Sequence, residues 1–192
     1  MKIALGIPSN RGVKLKTVKS LLELIVDNKY NFCIITAEMG YHIAENRNYI
    51  ATQAVKNNCD YLFFTDDDMI FPPDTLERLL EHRKEIVGVA YHPRFETKEG
   101  TVRLDETHIL SLDKPGAPTE LFECQGVGTG VLLIDTSVFR KIARPWFYIQ
   151  SHEVGKVTMG EDWWFCKQAM EAGYKIWCDP TLTIGHIGEF TF

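Results

Sequence analysis

A chain of 192 residues has the length of one domain, or of one domain with a small appendage. Its 45% hydrophobic and 24% charged residues suit an ordinary globular protein with enough apolar material for a core. A net charge of −5 argues against a broad nucleic-acid surface, because phosphate binding needs clustered Lys and Arg. Cys33, Cys59, Cys124, Cys166 and Cys178 form no CxxC pair, which argues against a thiolate zinc site. They read as small buried hydrophobes in a reducing compartment. Met1 runs directly into the apolar Ile3–Ile7, without a signal-peptide pattern, and no stretch reaches transmembrane length. The expected location is the cytoplasm.

The first half alternates strand and helix signals. Ile3 to Ile7 is a short apolar run stopped by Pro8-Ser9-Asn10. Val13 to Tyr30 carries Leu15, Val18, Leu21, Leu22 and Ile25 at helical spacing. Phe32 to Thr36 is β-branched and apolar, a second strand. Ala44 to Asn57 has a helical stripe of Tyr49, Ile50, Ala54 and Val55. Tyr61-Leu62-Phe63-Phe64 is a buried strand that runs into Asp66-Asp67-Asp68. Pro72-Pro73-Asp74 opens a helix through about His82, and Ile86 to Ala90 is a further strand. This order predicts an α/β fold with a parallel sheet and helices on both faces.

The second half is less regular. Arg94 to Pro118 is polar and reads as a hairpin (Thr101–Leu104 with His108–Leu112) or a mobile loop. Val131 to Ile134 is a strand after the glycines of Gly126-Val127-Gly128-Thr129-Gly130. Thr136 to Ile142 suits a short helix, and Glu161 to Ala172 a helix ended by Gly173. Lys175 to Cys178 and Leu182 to Ile184 read as short strands. No repeat or interdomain linker is visible.

In an open α/β sheet, ligands bind outside the carboxyl ends of the strands. Asp66, Asp67 and Asp68 follow an apolar run at such an end. Three adjacent carboxylates repel one another unless something positive sits among them, and a hard divalent cation answers that need. The competing reading is a solvated acidic turn. Glu161-Asp162 at a helix start either serves the helix dipole or supplies a carboxylate base facing an acceptor, with Trp163-Trp164-Phe165 beside it. His186, flanked by Gly185 and Gly188, is either structural or completes a carboxylate-plus-His site, a composition that suits Mn²⁺. Gly126 to Gly130 precedes a strand rather than a helix, so it is no dinucleotide fingerprint. It is the floor of a pocket or a simple turn.

Taken in order, these residues resemble the GT-A glycosyltransferases, and within them glycosyltransferase family 2. The matching set is Ile7-Pro8-Ser9, Arg47-Asn48, Tyr61 to Met69 with the acidic triplet, Gly128-Thr129-Gly130, Gly160-Glu161-Asp162 and His186. The resemblance implies a Rossmann-like nucleotide-diphospho-sugar transferase fold, a mainly parallel central sheet flanked by helices with a small antiparallel portion. It implies one domain over 1–192, with a nucleotide-binding half (1–92) and an acceptor and catalytic half (93–192).

The resemblance also assigns roles. Asp66, Asp68 and His186 would form the Mn²⁺ or Mg²⁺ site, Asp68 ligating directly and Asp66 acting on the ribose or a metal-bound water. Asp67 would touch the sugar. Pro8, Ser9 and Arg11 would hold the nucleotide base, and Arg47 would reach the base or the diphosphate. Gly128, Thr129 and Gly130 would line the donor-sugar pocket. Asp162 would be the catalytic base and Glu161 would help hold the acceptor. The acidic residue with which many relatives read uracil has no clear counterpart; Glu38 is the nearest. A UDP- or GDP-sugar is the expected donor, the acceptor being a glycan, protein or small molecule. The expected reaction is metal-dependent transfer of a hexosyl-type sugar to an acceptor hydroxyl with inversion. A sugar nucleotidyltransferase and a non-catalytic nucleotide-sugar binding module are the competing functions. The first of these wants a basic, glycine-rich loop that Gly6 to Gly12 forms poorly.

Overall fold

Described in a computed structural model are residues 1–10, 12–27, 29–38, 42–93, 99–105, 107–111, 115–153 and 156–188. Strand β1 (Lys2–Pro8) sends Ile3, Leu5 and Ile7 to one apolar cluster and Ala4 to another, so both of its faces are covered. Helix α1 (Leu15–Asp27) leads to β2 (Asn31–Ala37), which lies parallel to β1. Helix α2 (Ile43–Lys56) leads to β3 (Tyr61–Thr65), parallel to β1 on its other side. Past the acidic triplet come β4 (Met69–Ile70), α3 (Thr75–Glu81) and β5 (Ile86–Val89).

Strands β6 (Glu99–Arg103) and β7 (Ile109–Ser111) form the expected hairpin. Next are β8 (Phe122–Cys124), β9 (Gly126–Val127), β10 (Val131–Asp135) and the short α4 (Val138–Lys141). The hairpin β11 (Gln150–Glu153) with β12 (Lys156–Met159) delivers the chain to α5 (Glu161–Glu171). Strand β13 (Ile176–Asp179) and the two-residue β14 (Gly185–His186) complete the order.

The main sheet runs β2-β1-β3-β10-β5-β13-β8. Strand β10 is antiparallel to both β3 and β5, and β8 is antiparallel to β13; the other pairs are parallel. Two apolar layers sandwich it. One holds Ile50, Ala54, Phe64, Phe147 and Phe165, from α2, α5 and their surroundings. The other holds Leu21, Leu24, Phe63, Leu76 and Leu79, from α1, α3 and the opposite sheet face. No described helix is long and apolar enough to cross a membrane.

Several expectations are corrected. The strand and helix order predicted a parallel sheet, yet the antiparallel β10 lies between β3 and β5. Pairing of non-local strands leaves no trace in local periodicity. Leu15 and Leu22 do not join the buried stripe of α1 but are 83% and 57% exposed, while Leu21 and Leu24 carry the packing. Tyr49 on α2 is likewise exposed. Leu182 to Ile184 is not a strand; Gly185-His186 is, because β4 gives it a partner. Gly126-Val127, read as part of a turn, is a strand paired with β6. Gly173 ends α5 as expected, with φ +88° and its N–H on the Met170 carbonyl at 2.9 Å.

Candidate active site

The acidic triplet lies at the carboxyl end of β3, whose Leu62, Phe63 and Phe64 are fully buried. The strand therefore fixes the start of the triplet rigidly. Asp66 N–H donates to the Gly130 carbonyl at 3.1 Å, which ties the triplet to the glycine turn before β10. The Asp67 carbonyl accepts Lys14 N–H at 2.7 Å, and the Asp68 carbonyl accepts Ile187 N–H at 2.9 Å. So each of the three residues is held by a different segment, unlike a free solvated turn.

Asp68 is 2% exposed, and its Oδ1 lies 3.3 Å from His186 Nε2. The antiparallel pair β4·β14, with His186 opposite Met69, brings them together. His186 Nδ1 is 3.1 Å from the His92 carbonyl oxygen. A carbonyl only accepts, so Nδ1 carries a proton, and Nε2 is the ring nitrogen that faces the carboxylate. Two ligands held about 2.1 Å from one octahedral ion at right angles stand about 3 Å apart. A ring N–H on a backbone carbonyl is also the usual support of a metal-binding histidine. The pair thus fits a divalent cation that takes its remaining ligands from water or phosphate. Among the described residues no three such side chains converge, and Asp66 is engaged elsewhere.

Arg47 accounts for Asp66. Its Nη2 donates to Asp66 Oδ1 at 2.8 Å and its Nε to Glu161 Oε1 at 3.2 Å, with the guanidinium carbon 5.6 Å from the Phe64 ring centre. The side chain is 3% exposed. Burial works against its charge, but Asp66 and then Glu161 outweigh that and hold it above its ordinary range. Nη1 is buried and makes no hydrogen bond among the described residues. Arg47 is therefore first of all the counter-charge between the triplet and the acidic start of α5.

Asp162 stands beside that bridge. Its Oδ1 accepts the N–H of Trp163 at 2.7 Å. Burial, then repulsion by Glu161, pushes its carboxyl up to about 6 despite that hydrogen bond and the nearby Arg47. A carboxylate tuned close to neutrality is the kind a proton acceptor needs. Trp163 is covered by Arg103, 3.8 Å from its ring centre, and packs against Gly126. Trp164 meets Tyr148 edge-on at 5.1 Å. Phe165 is fully buried and stacks on Phe147 at 4.9 Å.

The glycine turn is shaped by Tyr91, which sequence reasoning missed. A Cβ at Gly128 or at Gly130 would lie 2.5 Å from the Tyr91 hydroxyl oxygen. Both positions are glycine because that hydroxyl occupies the space. Thr129 between them is 2% exposed. The only signal for Tyr91 was its place one residue beyond the apolar run Ile86 to Ala90.

The first loop is partly assembled. Pro8 ends β1, and Ser9 Oγ donates to Asp67 Oδ2 at 2.6 Å while accepting Gly12 N–H at 2.9 Å. Asn46, another residue sequence reasoning passed over, reaches Asn10 Oδ1 at 3.0 Å. Asn48 spans α2 and the segment before β11: its amide donates to the Phe147 carbonyl at 2.7 Å and accepts from Trp146 N–H at 3.1 Å. Glu38 is exposed just past β2. Arg11 lies outside the described residues.

A mainly parallel sheet with an acidic triplet past its third strand, a late histidine against that triplet and an acidic helix start define a GT-A fold. The model of the family described as Glycosyl transferase family 2 matches residues 10–143, and the chain belongs to that family. No curated protein sequence matches the chain. Among solved structures, A197 from STIV is similar, with 21% identity, TM-score 0.66, and coverage of 98% of this chain and 87% of that one. GalNAc-T7, solved with UDP, GalNAc and Mn²⁺, shares 13% identity at TM-score 0.55, covering 97% of this chain but 44% of its own. The inositol-1-phosphate CTP transferase from T. maritima shares 13% identity at TM-score 0.50, with coverage of 97% and 88%. These likenesses are likenesses of fold.

Proposed function

We propose that the chain is a metal-dependent, inverting glycosyltransferase that moves a sugar from a UDP- or GDP-sugar to an acceptor hydroxyl. Asp68 with His186 carries the reading: a buried carboxylate and an imidazole 3.3 Å apart, the ring's other nitrogen held by a backbone carbonyl, suit Mn²⁺ or Mg²⁺. When bound, the cation supplies Lewis-acid stabilisation of the leaving diphosphate. Residues 1–92 bind the nucleotide and 93–192 form the acceptor side of one domain.

In this reading Asp66, oriented by Arg47, accepts a ribose hydroxyl, and Pro8, Ser9, Arg11 and Glu38 frame the base. Arg47 Nη1 remains for a diphosphate oxygen. Asp67, held by Ser9, faces the sugar, and Gly128, Thr129 and Gly130 line its pocket. Asp162 takes the acceptor proton, a contribution of about 10²–10⁴ in rate. Glu161 orients the acceptor from the same helix start. Direct attack at an oxocarbenium-like anomeric carbon inverts it. GalNAc-T7's ligands are in keeping with this choice of donor and metal. Hexosyl transfer and a cytoplasmic location are part of the same proposal.

Incubation with sugar nucleotides and Mn²⁺ tests it. Release of nucleoside diphosphate supports transfer, release of pyrophosphate points to a nucleotidyltransferase, and binding without product to a non-catalytic module.

A further inference from the structure

Tyr91 is a buried polar group near the acidic triplet that this reaction leaves without a task. Its side chain follows β5 and is 5% exposed. Its hydroxyl oxygen accepts the Gly130 N–H at 2.9 Å. Among the described residues no acceptor is seen for the hydroxyl's own proton.

The surroundings of Tyr91 say which ligand. Its ring stands edge-on to His186, with centroids 5.7 Å apart. Asp66 Oδ2 lies on the same side of Gly130, 3.3 Å from where a Cβ would be. These groups belong to the leaving-group side of the site. Asp162, the acceptor-side base of this reading, is followed by Trp163, which packs against Gly126 beside the same glycine turn. In a displacement the transferred sugar lies between the leaving diphosphate and the attacking hydroxyl. Tyr91 is placed against that middle position.

We propose that Tyr91 is a specificity-determining residue whose hydroxyl donates to a hydroxyl oxygen of the donor sugar, and that Gly128 and Gly130 are glycines to admit it. The inference rests on the glycosyl-transfer reading above. It explains why two glycines flank a buried threonine, which a plain turn does not require.

Tyr91→Phe removes one oxygen and keeps the ring against His186. The wild type and the variant are titrated calorimetrically, with Mn²⁺ present, against UDP, GDP and their glucose, galactose, N-acetylglucosamine and mannose conjugates. The Kd of the tightest conjugate is expected to rise about five- to tenfold, the value of one neutral hydrogen bond. The matching diphosphate is expected to bind unchanged, which also shows that the variant's site is folded. Equal weakening of conjugate and diphosphate, or no weakening of the conjugate, overturns the assignment of Tyr91 alone. A wild type that binds none of these ligands overturns the glycosyl-transfer reading, and the assignment with it.

Discussion

Arg47 on α2 and Glu161 on α5 lie 114 positions apart in the chain and meet through an Nε–H···Oε1 bond of 3.2 Å. The same guanidinium holds Asp66 at 2.8 Å, so one buried cation joins the end of β3 to the start of α5. Removing it leaves partly buried carboxylates facing one another. Breaking a buried pair on one side costs about 3–5 kcal/mol. Arg47→Met is expected to lower stability by that order in urea unfolding. Arg47→Lys, which keeps the charge but not the two-sided geometry, recovers only part of it.

Asp162 provides a pH dependence whose sign is fixed. Its carboxyl is raised to about 6, so the ionised form is disfavoured in the fold. Asp162's contribution to stability is full below the ordinary carboxylate range and is lost as pH rises through about 6. Asp162→Asn is therefore expected to raise the melting temperature at pH 8, by the equivalent of about 1–2 kcal/mol, and to leave it nearly unchanged at pH 4. Activity moves the other way. With the wild type, kcat/KM rises with pH through about 6, and Asp162→Asn abolishes that limb together with most of the rate.

Asp179 anchors the segment that delivers His186. It is 2% exposed; His82 Nε2 lies 2.8 Å from its Oδ2, and Thr181 N–H and Oγ donate to its Oδ1 at 2.8 and 2.6 Å. Arg78 in turn bonds Thr181. Burial raises the Asp179 carboxyl, but the bonds from Thr181 and His82 prevail and lower it. Its stabilisation is present above the ordinary carboxylate range and is lost as pH falls through the lowered value. Asp179→Ala is expected to cost about 2 kcal/mol at neutral pH. Mn²⁺ affinity measured by titration should fall as well, since residues 180–188 lose the tie to His82 just past α3.

The glycine pair gives a packing prediction. A methyl at Gly128 meets the Tyr91 hydroxyl at 2.5 Å and the Thr101 Cβ at 3.0 Å. Gly128→Ala is expected to destabilise by about 1–3 kcal/mol, the usual cost of overpacking. In a Tyr91→Phe background the same change is expected to cost less, because the nearest atom is gone. A double-mutant cycle read by thermal unfolding measures the difference.

Much of this was legible in the sequence, and the rest was hidden for identifiable reasons. The strand that feeds Asp66 to Asp68 is visible because it is buried on both faces and so apolar throughout. The helix start at Glu161 is visible from its acids and from Gly173 beyond its end. The insertion of β10 between β3 and β5 is a long-range pairing with no local signature. Strands β4 and β14 are two residues each, too short for any period, yet they bring Asp68 to His186. Arg47 was expected at the base or diphosphate, but its Nη2 and Nε are taken by two carboxylates; one sequence does not say which acids a buried cation will meet. Tyr91 carries no local signal beyond its place after β5, because what distinguishes it is the approach of two glycines distant in sequence to its hydroxyl.

In the proposed function Asp68 and His186 bind the cation while Asp162 carries the proton. The most direct measurement is Mn²⁺-dependent release of nucleoside diphosphate from sugar nucleotides, alongside Mn²⁺ affinity, for the wild type, Asp68→Asn, His186→Ala and Asp162→Asn. Expected are Mn²⁺-dependent release by the wild type, Mn²⁺ binding weakened at least about tenfold in the first two variants, and wild-type Mn²⁺ binding without turnover in the third. Undiminished metal affinity in Asp68→Asn and His186→Ala, or full turnover by Asp162→Asn, would contradict it.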